Sequence, residues 1–191
     1  MKTILENYVT EIEVERSRFI ALLYPLKSEV EVNSILDEVK KEYRNARHYC
    51  YAYRFNDSER ASDDGEPKGT AGRPMLDLLQ KNDLQHVLLV VVRYFGGTLL
   101  GAGRLLRTYV ASGKAVLGLA TIVPIQTVYK YQFKIQVDEL DAVYSFANLH
   151  NIPFDSIFGE KSVVITFKSN KDITSLLEAN FYDKQIIKTE E

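Results

Sequence analysis

The chain has 191 residues, of which 46% are hydrophobic and 26% charged, and a formal net charge of −2. This is ordinary globular usage, with room for one large domain or two small ones, and the overall charge does not announce a nucleic-acid partner. The single cysteine, Cys50, excludes an internal disulfide and suits a reducing, cytoplasmic setting; no apolar run reaches membrane-span length, and no signal peptide is expected.

Val9, Ile12 and Val14 are interleaved with Glu11, Glu13 and Glu15, and Arg16 to Arg18 turns the chain into Phe19–Tyr24, which predicts a strand pair. Ser28 is the expected N-cap of a helix in which Val32, Ile35, Leu36 and Val39 keep helical spacing to about Tyr43. A strand is predicted from His48 to Phe55, with Tyr49, Tyr51, Tyr53 and Phe55 on one face and His48, Cys50, Ala52 and Arg54 on the other. The tyrosines suit either base stacking or a core. Asn56 to Gly69 reads as a long, mobile, polar loop, and Pro74 to Leu79 as a short helix, because proline fits a first helical turn. Residues 86–92 are too continuously apolar to face water on either side, so a central buried strand is expected. A Gly-rich turn follows, then a helix carrying Leu105, Leu106, Tyr109, Val110, Val116 and Leu117 to about Gly118.

Residues 121–127 contain Pro124 and little charge. Residues 1–122 are therefore expected to form one domain, 123–127 a linker, and 128–191 a second domain. In the second, Tyr129 to Val137 alternates cleanly. Asp138 caps a helix to about Leu149, strands follow at 152–158 and 162–167, Asn170 caps another helix, and 185–187 is a last short strand. That order, βαββαβ, is the ferredoxin-like pattern. The expected class is α+β throughout.

The chemistry concentrates between residues 60 and 107. The Gly96–Gly103 turn leaves a strand and opens a helix, an arrangement whose free amides attract phosphate. It is neither a Walker A loop, since no Gly-Lys-Ser/Thr follows, nor a dinucleotide fingerprint, since Leu106 stands where a third glycine is needed; tight strand–helix packing is the competing role. The candidate phosphate or nucleic-acid contacts are Arg60, Lys68, Arg73, Arg93, Gly96, Gly97, Gly101, Gly103, Arg104 and Arg107, with Tyr49, Tyr51 and Tyr53 as candidate stacking residues. Asp63, Asp64 and Glu66 are weak candidates for Mg²⁺; the same residues suit turns and ion pairs. His48 and Cys50 share a strand face, but neighbours two apart point the same way, and no catalytic residue is assigned. No cofactor is implied. Every arginine lies at or before Arg107. Residues 1–126 carry 17 basic and 16 acidic side chains and the remainder 7 and 10, so recognition is expected from the first part.

Four stretches together carry a resemblance: Arg16 to Phe19, Ala46 to Tyr53, Arg60 to Leu76 with its Asp-Asp-Gly-Glu-Pro centre, and Val91 to Gly103. They resemble the IMPACT family, and more narrowly its bacterial YigZ-type branch, over most of residues 10–120. The chain departs from the family pattern where Arg104 replaces a usual Gly and Thr108 a usual Ala. The resemblance implies a first domain like domain 2 of ribosomal protein S5 and a ferredoxin-like second domain, the pair found in elongation factor G domains IV and V. It also implies a link to translation, which eukaryotic relatives regulate through a kinase pathway. The expectation is a non-enzymatic cytoplasmic protein that binds RNA or the ribosome, with a protein partner for the second domain and no membrane. A Mg-dependent enzyme acting on a phosphorylated small molecule and a protein-interaction regulator without nucleic acid are the alternatives.

Overall fold

The computed structural model describes residues 1–190 and divides into two compact units, Met1–Ile125 and Gln126–Glu191. In the first unit, β1 (Lys2–Ile4) precedes the hairpin β2 (Tyr8–Val14) and β3 (Ser17–Pro25). Val14 pairs with Ser17, so the turn is only Glu15-Arg16, and both residues take positive φ as a two-residue hairpin requires. Next comes α1 (Glu31–Glu42). Its N-cap is Val30 and no side chain caps it, whereas Ser28 was the expected cap. Glu31 instead turns its carboxylate back to the Lys27 amide, and the N-cap lies at Val30 in place of Ser28, so the helix starts later than the sequence suggests.

β4 (His48–Phe55) and β5 (Ser58–Ser62) form a second hairpin around Asn56-Asp57, with Asn56 at φ 51°. The stretch expected to be a long loop therefore contains a strand. Glu59 and Arg60 look too polar for one, but β5 is an edge and needs one apolar neighbour face at most. α2 (Gly72–Lys81) leads to β6 (Val87–Tyr94), and α3 (Ala102–Leu119) to β7 (Ile122–Pro124), which pairs with β1. Part of the stretch expected to link two domains is thus a strand of the first unit.

The main sheet has the order β2-β3-β6-β4-β5, every pair antiparallel. β6 lies at its centre, which explains its unbroken apolar run. Val87, Leu89 and Val91 face α2 and α3, while Leu88, Val90 and Val92 face α1, and all six are fully buried. Burial of each such side chain is worth about 1.5–3 kcal/mol, so β6 anchors both cores.

In the second unit, β8 (Tyr129–Ile135) is followed by a 3₁₀ turn with a capping box between Gln136 and Glu139, and by α4 (Leu140–His150). β9 (Phe154–Phe158), β10 (Val163–Ser169), α5 (Thr174–Asn180) and β11 (Ile187–Glu190) complete it. The strands order as β11-β8-β10-β9, all antiparallel. Alternate residues Tyr131, Phe133 and Ile135 pack with Phe146, Ile165, Phe167 and Leu177 in a separate core. Among the described residues, no helix is long and apolar enough to cross a membrane.

A candidate ligand cleft at the start of α3

Antiparallel register sets His48, the first residue of β4, directly beside Arg93 near the end of β6. Above them the 63–72 loop folds back over the sheet. Asp63 holds it there. Its Oδ2 accepts from the Gly69 amide at 2.8 Å, and its Oδ1 accepts from the amides of Ala71 at 3.0 Å and Gly72 at 2.8 Å. Burial pushes the Asp63 carboxyl up, but the three amides outweigh it and leave the group below its ordinary range. Asp64 adds Oδ2 as acceptor for the Tyr49 amide at 2.6 Å. Thus Asp63 and Asp64, weak metal candidates on sequence, are turned onto backbone amides. Among the described residues no three His, Cys, Asp or Glu side chains are grouped to hold a metal.

The third carboxylate goes elsewhere. Glu66 is buried, and its Oε1 accepts from Arg93 Nη1 at 2.7 Å and from the Tyr109 hydroxyl at 2.8 Å. Its Oε2 faces His48 Nε2 at 3.7 Å, beyond hydrogen-bond range. His48 Nδ1 lies 2.8 Å from the Asp64 carbonyl oxygen, so Nδ1 carries the hydrogen. Arg93 is also buried, with its guanidinium carbon 5.3 Å from the Phe19 ring centroid and 5.7 Å from that of Phe95. Its buried Nε has no hydrogen-bond partner among the described residues. Cys50 is sealed beneath this cluster, its Sγ 3.0 Å from the Asp63 carbonyl oxygen and 3.3 Å from the Tyr109 hydroxyl. Burial pushes its thiol well above the ordinary range, which leaves it protonated and unsuited to nucleophilic work beside His48.

His48, Glu66 and Arg93 form the floor of a cleft of about 350 Å³, closed by Arg47, Phe95, Leu99, Leu100 and the first residues of α3. Gly101 precedes the helix at φ 74°, no side chain caps it, and the first turn holds no acid. The opening amides therefore keep their donors and the positive end of the helix dipole is unopposed. Arg47 and Arg107 are exposed with no ion pair among the described residues, whereas Arg104 pairs with Glu15 at 2.9 Å. Lys68 is exposed beside Pro67, which lines the cleft.

The structure sorts the sequence candidates. Gly101, Gly103 and Arg104 lie at the helix start and Arg107 in its second turn, whereas Gly97 lies earlier in the turn, at φ 91° with open space on its Cβ side. Arg104 is helical, so this position does not need glycine's positive φ. Gly96 is a packing residue, since an added Cβ would lie 2.1–2.3 Å from the Arg16–Ser17 backbone. Arg93 lies in the cleft but is committed to Glu66. Arg60 lines a different hollow, with Glu29, Tyr51 and Tyr53, and Arg73 is turned to Asp77 at 2.8 Å. Tyr53 is buried with its hydroxyl on Glu29, Tyr49 donates to the Tyr43 carbonyl at 2.6 Å, and Tyr51 packs on the same core as both, so the tyrosine row belongs to the α1 side of the sheet. Sequence reading did not single out Arg47, His48 or the buried role of Glu66 as parts of one site. Their only local signal is a basic pair at the head of a strand, and nothing near Glu66 announces burial.

Residues 15–117 match the model of the Impact N-terminal domain. The IMPACT family member YvyE of Bacillus subtilis is 36% identical over 173 residues, 83% of this chain and 80% of that protein. YigZ of Escherichia coli is 41% identical over 102 residues, about half of each protein. A crystal structure described as a hypothetical protein is 26% identical, covers 100% of this chain and 97% of its own, and has a TM-score of 0.73. On this evidence the chain belongs to the IMPACT family, alongside its bacterial YigZ-type members.

Proposed function

We propose that the protein is a non-enzymatic RNA- or ribosome-binding factor linked to regulation of translation. The carrying observation is the uncapped start of α3, ringed by Arg47, Arg104 and Arg107 with Lys68 close by. Free helix amides and the guanidinium groups of Arg47 and Arg107, which make no ion pair among the described residues, are donors that suit a run of phosphates. Membership of the IMPACT family supports the translation link, through the kinase pathway that the eukaryotic relatives regulate. The topology supports the finer fold reading, a first unit like domain 2 of ribosomal protein S5 and a ferredoxin-like second unit with the order β11-β8-β10-β9. The acidic second unit would recruit a protein, and the setting would be cytoplasmic.

The test is the affinity of the full chain for single-stranded RNA measured against salt. Binding through several phosphates weakens steeply as salt rises. Arg107→Ala should lower affinity for every sequence alike and reduce the salt slope by about one. Arg60→Ala, on the α1 side of the sheet, should change neither. An unchanged slope in Arg107→Ala, or partners in lysate that survive nuclease treatment undiminished, would count against the RNA reading and favour a protein-interaction regulator.

A further inference from the structure

The floor of the cleft presents two kinds of group in fixed positions. On one side are donors: the guanidinium of Arg93, whose hydrogen bonding among the described residues runs through Nη1, the first amides of α3, and Arg47 at the mouth. The charges of Arg93 and Glu66 offset one another, so Arg47 and the helix dipole leave this side positive. It suits an anion. On the other side are two acceptors. Glu66 Oε2 accepts no hydrogen bond among the described residues, and the His48 tautomer that donates from Nδ1 to the Asp64 carbonyl presents an Nε2 lone pair to the cleft. The two atoms lie 3.7 Å apart and cannot satisfy each other without a shared donor. A pair of acceptors side by side suits two neighbouring hydroxyls. The remaining wall, Phe95, Leu99 and Leu100, is apolar and suits a flat ring.

We infer that this cleft binds one ribonucleotide with a free 2′,3′-diol: phosphate toward Arg93 and the start of α3, the two hydroxyls on Glu66 and His48, and the base against Phe95. This deepens the RNA reading above, because such a unit is either a free mononucleotide or the 3′ end of an RNA strand. The volume of the cleft matches the lower range of small-ligand sites, which hold a few well-placed polar groups on a mostly apolar lining. The paired acceptors give discrimination, since a deoxyribose leaves one of two partly buried acceptors without a donor.

The experiment is calorimetric titration of the full chain with each of the four ribonucleoside 5′-monophosphates and their 2′-deoxy counterparts. At least one ribonucleotide should saturate a single site and bind about tenfold or more tightly than its deoxy form. Ala102→Trp, which fills the mouth from an exposed position, should abolish that binding without lowering the melting temperature. His48→Phe should bring the ribo-to-deoxy ratio close to one. RNA ending in a free diol that binds more tightly than the same RNA ending in a 3′-phosphate identifies the strand end as the source; equal binding of the two identifies the free nucleotide. The inference is overturned if none of the four saturates at millimolar concentration, if ribo and deoxy forms bind alike, or if Ala102→Trp binds as the wild type does. The RNA reading is judged separately. Salt-dependent RNA binding without mononucleotide binding leaves it standing and removes the cleft, and mononucleotide binding without RNA binding does the reverse.

Discussion

Arg93 donates to Glu66 across 2.7 Å, and both side chains are more than nine-tenths buried. One residue belongs to the central strand and the other to a polar loop 27 positions earlier in the sequence. The pair ties that loop to the sheet, and Tyr109 adds a second donor to the same carboxylate oxygen. Glu66→Ala leaves a buried guanidinium with no counter-charge, and the expected loss is about 3–5 kcal/mol of folding stability. Glu66→Gln keeps an acceptor and should lose less. Urea unfolding of the three proteins checks this; equal stability of wild type and Glu66→Ala would show that the loop is held by other means.

Asp63 anchors the same loop through backbone amides alone. Its folded pKa lies below the ordinary value of 3.8, so its contribution is fully present above the unfolded value. That contribution is lost as pH falls through the folded value. Asp63→Asn should therefore be less stable than wild type at pH 7, by about 1–2 kcal/mol by analogy with helix caps. The difference should shrink as the pH drops below about 4. Parallel urea melts from pH 7 to pH 2 measure it. A difference that stays constant over the whole range would assign the effect to lost shape and not to charge.

Glycines in the 96–103 turn should separate by role. Gly96→Ala drives a methyl group into the Arg16–Ser17 backbone and should cost at least about 2 kcal/mol. Gly97→Ala meets open space and pays only for its positive φ, about 1 kcal/mol. Thermal melts rank the two; the reverse order would mean that the turn, and not the contact with the β2–β3 hairpin, sets the glycine requirement here.

The two units should fold apart. Residues 1–125 retain the β1–β7 pair, and residues 126–191 retain the whole second core. Each fragment should melt cooperatively on its own, whereas a fragment ending at 121 loses β7 and should melt earlier than 1–125. Failure of either unit to show a cooperative transition would mean that it depends on the other for stability.

Sequence by itself determined most of the elements, though not β1, β5 or β7. The alternation in residues 8–15 and 129–137 marks strands because successive side chains on a strand point to opposite faces. The unbroken run at 86–92 marks a strand covered on both sides, and the glycines before α3 mark a tight helix entry. The long motifs from Arg16 to Gly103 carry the family resemblance in order. Tertiary structure alone decided which polar groups meet. Arg60 and Arg93 look alike in sequence, yet one lines the α1 side and the other the floor of the cleft. Glu66 sits among three carboxylates in one short loop, and only it turns inward. Asp63 spends its oxygens on the nearby amides of Gly69, Ala71 and Gly72, so its role is local, while Asp64 reaches back to the Tyr49 amide of β4. Glu66 meets Arg93, His48 and Tyr109 through the register of β4 on β6 and the crossing of α3 over the sheet. Periodicity reports the face on which a side chain lies; its partner on that face is fixed by strand order and register, which depend on contacts far apart in the chain.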